Sequence, residues 1–172
     1  MKKEEIIAKV KTLNLPKGSY VVFGSCPLSA VGIREANDID LLVSREVFTK
    51  LRQIGWQELH KSSNDIPLTH DVFEAHDNWD FSSYSPTLDQ LLVNAMVIDD
   101  VAFASLEEVR KWKIASGRPK DIADVKLIDE YLLKKLHRAT LIASAGSSAR
   151  LAGSKLSDKE VERLVSTVFG QK

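Results

Sequence analysis

Two short segments carry the residues best suited to chemistry, Gly24-Ser25 and Asp38-Ile39-Asp40. Both fall on stretches that read as neighbouring strands, Tyr20–Phe23 and Asp38–Val43. Strand side chains alternate between faces, so Asp38 and Asp40 share one face with a single apolar residue between them. Carboxylates in an apolar strand need compensation by a metal, a cation or hydrogen bonds. Magnesium suits such a pair because it takes hard oxygen ligands and keeps several waters. Gly24 lets the backbone approach a phosphate closely and Ser25 adds a hydroxyl. Together they point to metal-assisted nucleotidyl transfer, in which the protein supplies charge neutralisation and alignment.

Two metal ions about 3.5–4 Å apart can clamp the attacking and leaving oxygens, with Mg2+ expected and Mn2+ the alternative. A third carboxylate on an adjacent strand completes that set, and Asp71 in His70-Asp71-Val72-Phe73 is the leading candidate. In one regular strand Glu74 faces away from Asp71, so it ranks second. Arg34, Lys113 and Arg118 are the basic residues assigned to the nucleotide phosphates, with Lys120 beside them. Asp121 shares a helix face with Val125 and Ile128, and Lys113 or Arg118 is its natural partner. His60, His70, His76 and His137 lack zinc-ligand spacing. Cys26 reads as a packed small residue, and Trp56, Trp79 and Trp112 as core or rim residues. Ser25 is no acyl-transfer nucleophile, because its surroundings lack the second glycine of a nucleophile elbow.

The elements that must hold these residues follow from periodicity. Ile6, Ile7, Val10 and Leu13 mark an opening helix, and Pro27–Val31 a helical turn stopped by Gly32. Arg45–Ile54 is helical and stopped by Gly55. Trp56–His60 and Ile66–Glu74 read as two strands joined at Ser62-Ser63-Asn64-Asp65. Thr87 with Gln90 and Ser105 with Glu108 form capping boxes, and Met96–Phe103 a hairpin across Asp99-Asp100. After the Gly117 break a helix runs to about Leu136, with Ile122, Val125, Ile128, Leu132 and Leu136 as its apolar stripe. Residues 139–154 are rich in Ala, Ser and Gly, a linker or a weak helix. Ser157 and Glu160 open a last helix with Val161, Leu164, Val165 and Val168 on one face.

The expected class is α+β: a small mixed β-sheet flanked by helices, with a helical C-terminal tail. The expected division is a main domain over 1–138 and an Ala/Ser/Gly-rich segment with an amphipathic helix over 139–172. A net charge of zero gives no global field favouring nucleic acid or an anionic membrane. One cysteine permits no intrachain disulfide, and neither a secretory signal nor a membrane span is evident. A cytoplasmic protein is expected.

Gly24-Ser25 and Asp38-Ile39-Asp40, with a later acidic strand residue, resemble the nucleotidyltransferase fold superfamily that includes DNA polymerase beta. The stretch Lys113-Ile114-Ala115-Ser116-Gly117-Arg118-Pro119-Lys120-Asp121-Ile122-Ala123-Asp124 is similar to one in small prokaryotic nucleotidyltransferase-like proteins, including some toxin–antitoxin partners. The resemblance covers roughly residues 18–135. It implies Mg2+-dependent transfer of a nucleoside monophosphate from an NTP, with release of pyrophosphate. The acceptor hydroxyl belongs to a small molecule, an RNA end or a protein. By this resemblance Asp38, Asp40 and Asp71 are the catalytic metal ligands, and Gly24 and Ser25 hold phosphate. The alternative is an inactive, nucleotidyltransferase-like binding module, antitoxin-like or regulatory, that works through a protein partner.

Overall fold

The computed structural model describes residues 1–61, 65–80 and 83–169. The chain divides into two compact units, Met1–Ile128 and Asp129–Lys172. Among the described residues the first is built on a seven-stranded mixed sheet, so the α+β class is as expected, with more strands than a small sheet suggests.

The strands are β1 (Tyr20–Val22), β2 (Ile39–Val43), β3 (Gln57–Glu58), β4 (Leu68–His70), β5 (Phe73–His76), β6 (Met96–Ile98) and β7 (Val101–Phe103), in the order β3-β4-β5-β2-β1-β7-β6. β2 lies at the centre, antiparallel to β1 and parallel to β5. β1 and β7 are also parallel. Central strands buried on both faces should lack polar alternation. Val21, Val22, Ile39, Leu41, Leu42 and Val43 are all buried accordingly.

One face of the sheet packs Tyr20, Val22, Ile39, Leu41, Val43, Phe73 and Ala75 into the main apolar cluster. Helix α1 (Lys3–Thr12) contributes Ile6, Ile7 and Val10 to it, and α3 (Arg45–Gln53) contributes Val47, Phe48 and Leu51. Each such side chain, fully buried, is worth roughly 1.5–3 kcal/mol. Ser44 caps α3 by accepting from the Val47 amide. Between β1 and β2 lies the short helix α2 (Cys26–Ala30).

The stretch expected as a single strand, Ile66–Glu74, is a hairpin instead. β4 and β5 are antiparallel, with His70 opposite Phe73, so Asp71 and Val72 form the turn. Asp71 takes a left-handed φ of 52° there, the sign tight hairpin turns demand. The other hairpin stands where expected: Asp99 and Asp100 both have positive φ, as a type I′ turn requires. Residues 62–64 of the expected Ser62–Asp65 turn lie outside the described residues.

The second half continues with α4 (Leu88–Val93), α5 (Leu106–Ser116) and α6 (Pro119–Leu151). The Thr87–Gln90 capping box is complete at α4. At α5 only half the expected box forms, with Ser105 accepting from the Glu108 amide. The Glu108 carboxylate accepts from the Tyr84 hydroxyl and Lys111. Gly117, at φ 63°, ends α5. α6 continues to Leu151 rather than stopping near Leu136, because Ala and Ser are tolerated in a helix and the one glycine of that stretch, Gly146, costs only about 1 kcal/mol there. The expected boundary at 138/139 falls inside it.

Asp121, Asp124, Val125 and Ile128 are buried in the first turns of α6 and Gly146 further along it, while Ile122 and Leu136 of the expected stripe are exposed. In the last helix, α7 (Asp158–Phe169), Val161 is buried and Leu164 exposed; the Val168 side chain lies outside the described residues. No described helix is long and apolar enough to cross a membrane.

Candidate functional site

The sheet's second face carries the polar chemistry. The Phe23 amide donates to the Asp40 carbonyl at 2.9 Å, and parallel register places Glu74 beside Asp40 and His76 beside Leu42. Residues two apart share a face, so Asp40, Glu74 and His76 project together. Their ligand atoms all lie within 4.8 Å of one another. Phe23, Trp79 and Trp112 wall this face: Trp79 meets Phe23 at 4.7 Å, Trp112 at 5.3 Å and the His76 ring at 4.6 Å between centroids. Trp79 is 4% exposed, so it belongs to the wall.

Gly24 lies directly against Asp40. A Cβ placed on Gly24 would stand 1.8 Å from Asp40 Oδ2 and 2.7 Å from its Cγ. Gly24 also has a φ of 62°. A side chain is therefore excluded twice, by backbone conformation and by the carboxylate. The spacing of glycine and acid in the sequence thus has a steric cause.

The electrostatics of the group are uneven. Burial, then the neighbouring Asp38 charge, pushes the Asp40 carboxyl up to about 6. Glu74 is held down to about 2 by His76 and Lys61, against the effect of burial. Lys61 forms an ion pair with Glu74 Oε2. Burial disfavours charge on His76, but Asp65, Glu74 and Asp40 outweigh it and raise its pKa. Asp65 Oδ1 lies 3.3 Å from His76 Nδ1, while Nε2 points towards Glu74 and Asp40 at 3.8 and 3.9 Å.

Among the sequence candidates, Asp38 is exposed and precedes β2, though its charge reaches Asp40. The Cys26 thiol donates to its carbonyl at 3.2 Å. Cys26 is fully buried and burial raises its pKa, so it packs rather than reacts. Asp71 is not in the converging group. Its turn position sends its carboxylate towards Lys9, 3.5 Å away, and its side chain is 62% exposed. Glu74 occupies the place opposite Asp40, because the turn resets the alternation that a continuous strand would impose.

The basic candidates form a separate network. Arg34 donates twice to Asp124, both bonds at 2.6 Å, and once to Ser25 Oγ at 2.8 Å. Lys113 is 1% exposed and pairs with Asp121 at 2.9 Å and Asp124 at 2.8 Å. Asp121 also accepts from Arg118 and Ser116. The expected pairing of Asp121 is thus met by both Lys113 and Arg118. Arg118 also lies over the Trp112 ring, 5.7 Å from its centroid. These cations keep Asp121 and Asp124 ionised despite burial. Through Arg34 the network fixes the Ser25 hydroxyl beside the Gly24 bend. Lys113 itself is sealed inside it.

Sequence reasoning passed over His76, Lys61 and Asp65. Zinc-type spacing was the wrong test for His76, since its partners come from a neighbouring strand. The pattern Glu74-x-His76, repeating the parity of Asp38-x-Asp40, was the available signal.

No protein-family model matches the chain, and no curated protein does. Two solved structures match it. One is the crystal structure of ANT(2″)-Ia in complex with adenylyl-2″-tobramycin, at 18% identity and a TM-score of 0.42, covering 78% of this chain and 90% of the other. The other is the solution structure of the antibiotic-resistance factor ANT(2″)-Ia, at 17% identity and a TM-score of 0.42, covering 87% of this chain and 92% of the other.

Proposed function

We propose that this protein is a metal-dependent nucleotidyltransferase that moves a nucleoside monophosphate from an NTP to a hydroxyl acceptor. The observation that carries the reading is the convergence of Asp40 and Glu74 on adjacent parallel strands beside a glycine that admits no side chain. Glu74, not Asp71, takes the third-carboxylate role, with Asp38 at the exposed margin. The donor set fits a divalent cation: it offers hard oxygens, and the buried His76 Nε2 has no hydrogen-bond partner among the described residues. When bound, the cation neutralises charge on the phosphates and on the departing pyrophosphate.

The chain's own residues do the positioning. Gly24 lets a phosphate approach the backbone above Asp40. Ser25, oriented by Arg34, offers its hydroxyl to the same anion, and the Arg34 guanidinium adds positive charge. Phe23 and Trp79 form an apolar floor that strengthens these electrostatic contacts. In the reaction the acceptor oxygen bonds to the α-phosphorus as the α–β phosphoanhydride bond breaks. Pyrophosphate leaves with that electron pair, and the hydroxyl proton passes to solvent.

The test is incubation with labelled NTPs and Mg2+ or Mn2+, with a panel of small-molecule, RNA and protein acceptors. Wild type should transfer label and Asp40→Ala should lose several orders of magnitude, because the carboxylates act as a unit. Absence of metal-dependent nucleotide binding by wild type removes the proposal. One observation favours a second reading, an inactive binding module: Lys61 already neutralises Glu74. That reading expects a stable partner complex unaffected by Asp38→Asn.

A further inference from the structure

The third donor in this group is an imidazole, and that changes which ion it suits. We infer that Asp40, Glu74 and His76 form a mixed oxygen–nitrogen site that prefers a first-row transition ion such as Mn2+ or Co2+ to Mg2+. The inference deepens the proposed function and rests on it for a divalent ion at this face.

Geometry carries it. Metal–nitrogen and metal–oxygen bonds of about 2.0–2.2 Å place two donors on one ion no more than about 4.4 Å apart. His76 Nε2 stands 3.8 Å from Glu74 Oε2 and 3.9 Å from Asp40 Oδ1. Those separations exceed a hydrogen bond and suit a shared ion. The His76 side chain is 9% exposed, and its Nε2 has no hydrogen-bond partner among the described residues. A buried polar atom left this way needs a partner that the fold itself does not supply.

The ring is also pre-aimed. Asp65 sits 3.3 Å from Nδ1, and Trp79 meets the ring edge-on at 4.6 Å. A carboxylate on one ring nitrogen fixes the tautomer and turns the other nitrogen's lone pair towards the ion. In this tautomer the lone pair faces two carboxylates, an arrangement that a cation between them relieves. An all-carboxylate set suits Mg2+, whereas an imidazole donor favours the first-row transition ions, least at Mn2+ and more strongly along the series through Co2+ to Cu2+. Lys61 pairs with Glu74 and is 40% exposed, so it can swing into solvent as an ion enters.

The experiment is Mn2+ titration of the full chain followed by electron paramagnetic resonance, with Mg2+ as competitor. Electron spin-echo modulation then reports a nitrogen ligand. Wild type should bind Mn2+ in preference to Mg2+ and show nitrogen modulation. His76→Asp should still bind but lose the modulation and shift towards Mg2+. Asp65→Asn should weaken Mn2+ binding by about 10–100-fold, the usual effect of losing such an orienting group. Lys61→Met should tighten it. Urea unfolding of each variant shows whether the fold is retained.

Mn2+ bound without nitrogen modulation, with an unchanged Mn2+/Mg2+ ratio in His76→Asp, overturns the inference and leaves the carboxylate site standing. Failure of wild type and of Lys61→Met to bind any divalent ion overturns both.

Discussion

Replacing Gly24 with alanine tests the relation between the turn and the carboxylate directly. Two costs are expected. At a φ of 62° an L-residue occupies the left-handed region, which costs roughly 1–2 kcal/mol. The new Cβ also meets Asp40 at 1.8 Å from Oδ2 and 3.0 Å from Cβ, so rotating the carboxylate does not clear it fully. Overpacking of this kind costs about 1–3 kcal/mol. The sum, about 2–5 kcal/mol, is a large part of a typical domain's stability.

Gly18 supplies the control. Its φ is 78°, and nothing lies within 4 Å of an added Cβ. Gly18→Ala should therefore pay only the backbone cost, about 1–2 kcal/mol. Urea unfolding midpoints of both variants, converted through a common m-value, give the difference. Mn2+ binding gives the second readout: it should vanish in Gly24→Ala, where Asp40 is displaced, and persist in Gly18→Ala. Equal destabilisation with Mn2+ binding intact in both would refute the reasoning, because Asp40 would then not lie under Gly24.

The remaining expectations concern charge. Asp40 titrates at about 6 against an ordinary 3.8, so its ionised form opposes folding, and stability should rise as pH falls from about 7 towards 4. His76 acts in the same direction: its raised pKa makes its contribution complete below 6.5 and lost as pH rises through the folded value. Glu74 at about 2, with Asp121 and Asp124 also lowered, contributes stability that is lost as pH falls below about 4, so the optimum should lie mildly acid. Thermal unfolding across pH 3–8 (roughly the span of these groups) reads this profile. Asp40→Asn should flatten its upper limb and stabilise the protein at neutral pH by up to about 3 kcal/mol while abolishing transfer. Lys113→Met leaves Asp121 and Asp124 buried without their shared cation and should cost about 3–5 kcal/mol in urea unfolding; a loss under 1 kcal/mol, about that of a surface pair, would show the network to be solvated.

The sequence determined the parts whose signals are local. Strands β1 and β2, the Gly24 bend, the capping box at Thr87–Gln90 and the Asp99-Asp100 turn each follow from residues adjacent in the chain. The pairing of Asp121 with Lys113 or Arg118 was legible too, because a carboxylate on an apolar helix face requires a cation. Register was not legible. A two-residue turn at Asp71 reverses the chain and exchanges the roles of Asp71 and Glu74, and period-two reasoning has no access to a reversal inside an apparently continuous strand.

Tertiary structure alone brought Glu74 and His76 to Asp40, through β5 lying parallel to β2, and Lys61 and Asp65 to Glu74 and His76. It also turned Lys113 inward, where the charges of two helical aspartates compensate its burial. Residue type sets which chemistry is available, but strand pairing sets which side chains share a face. That pairing is a property of the whole sheet.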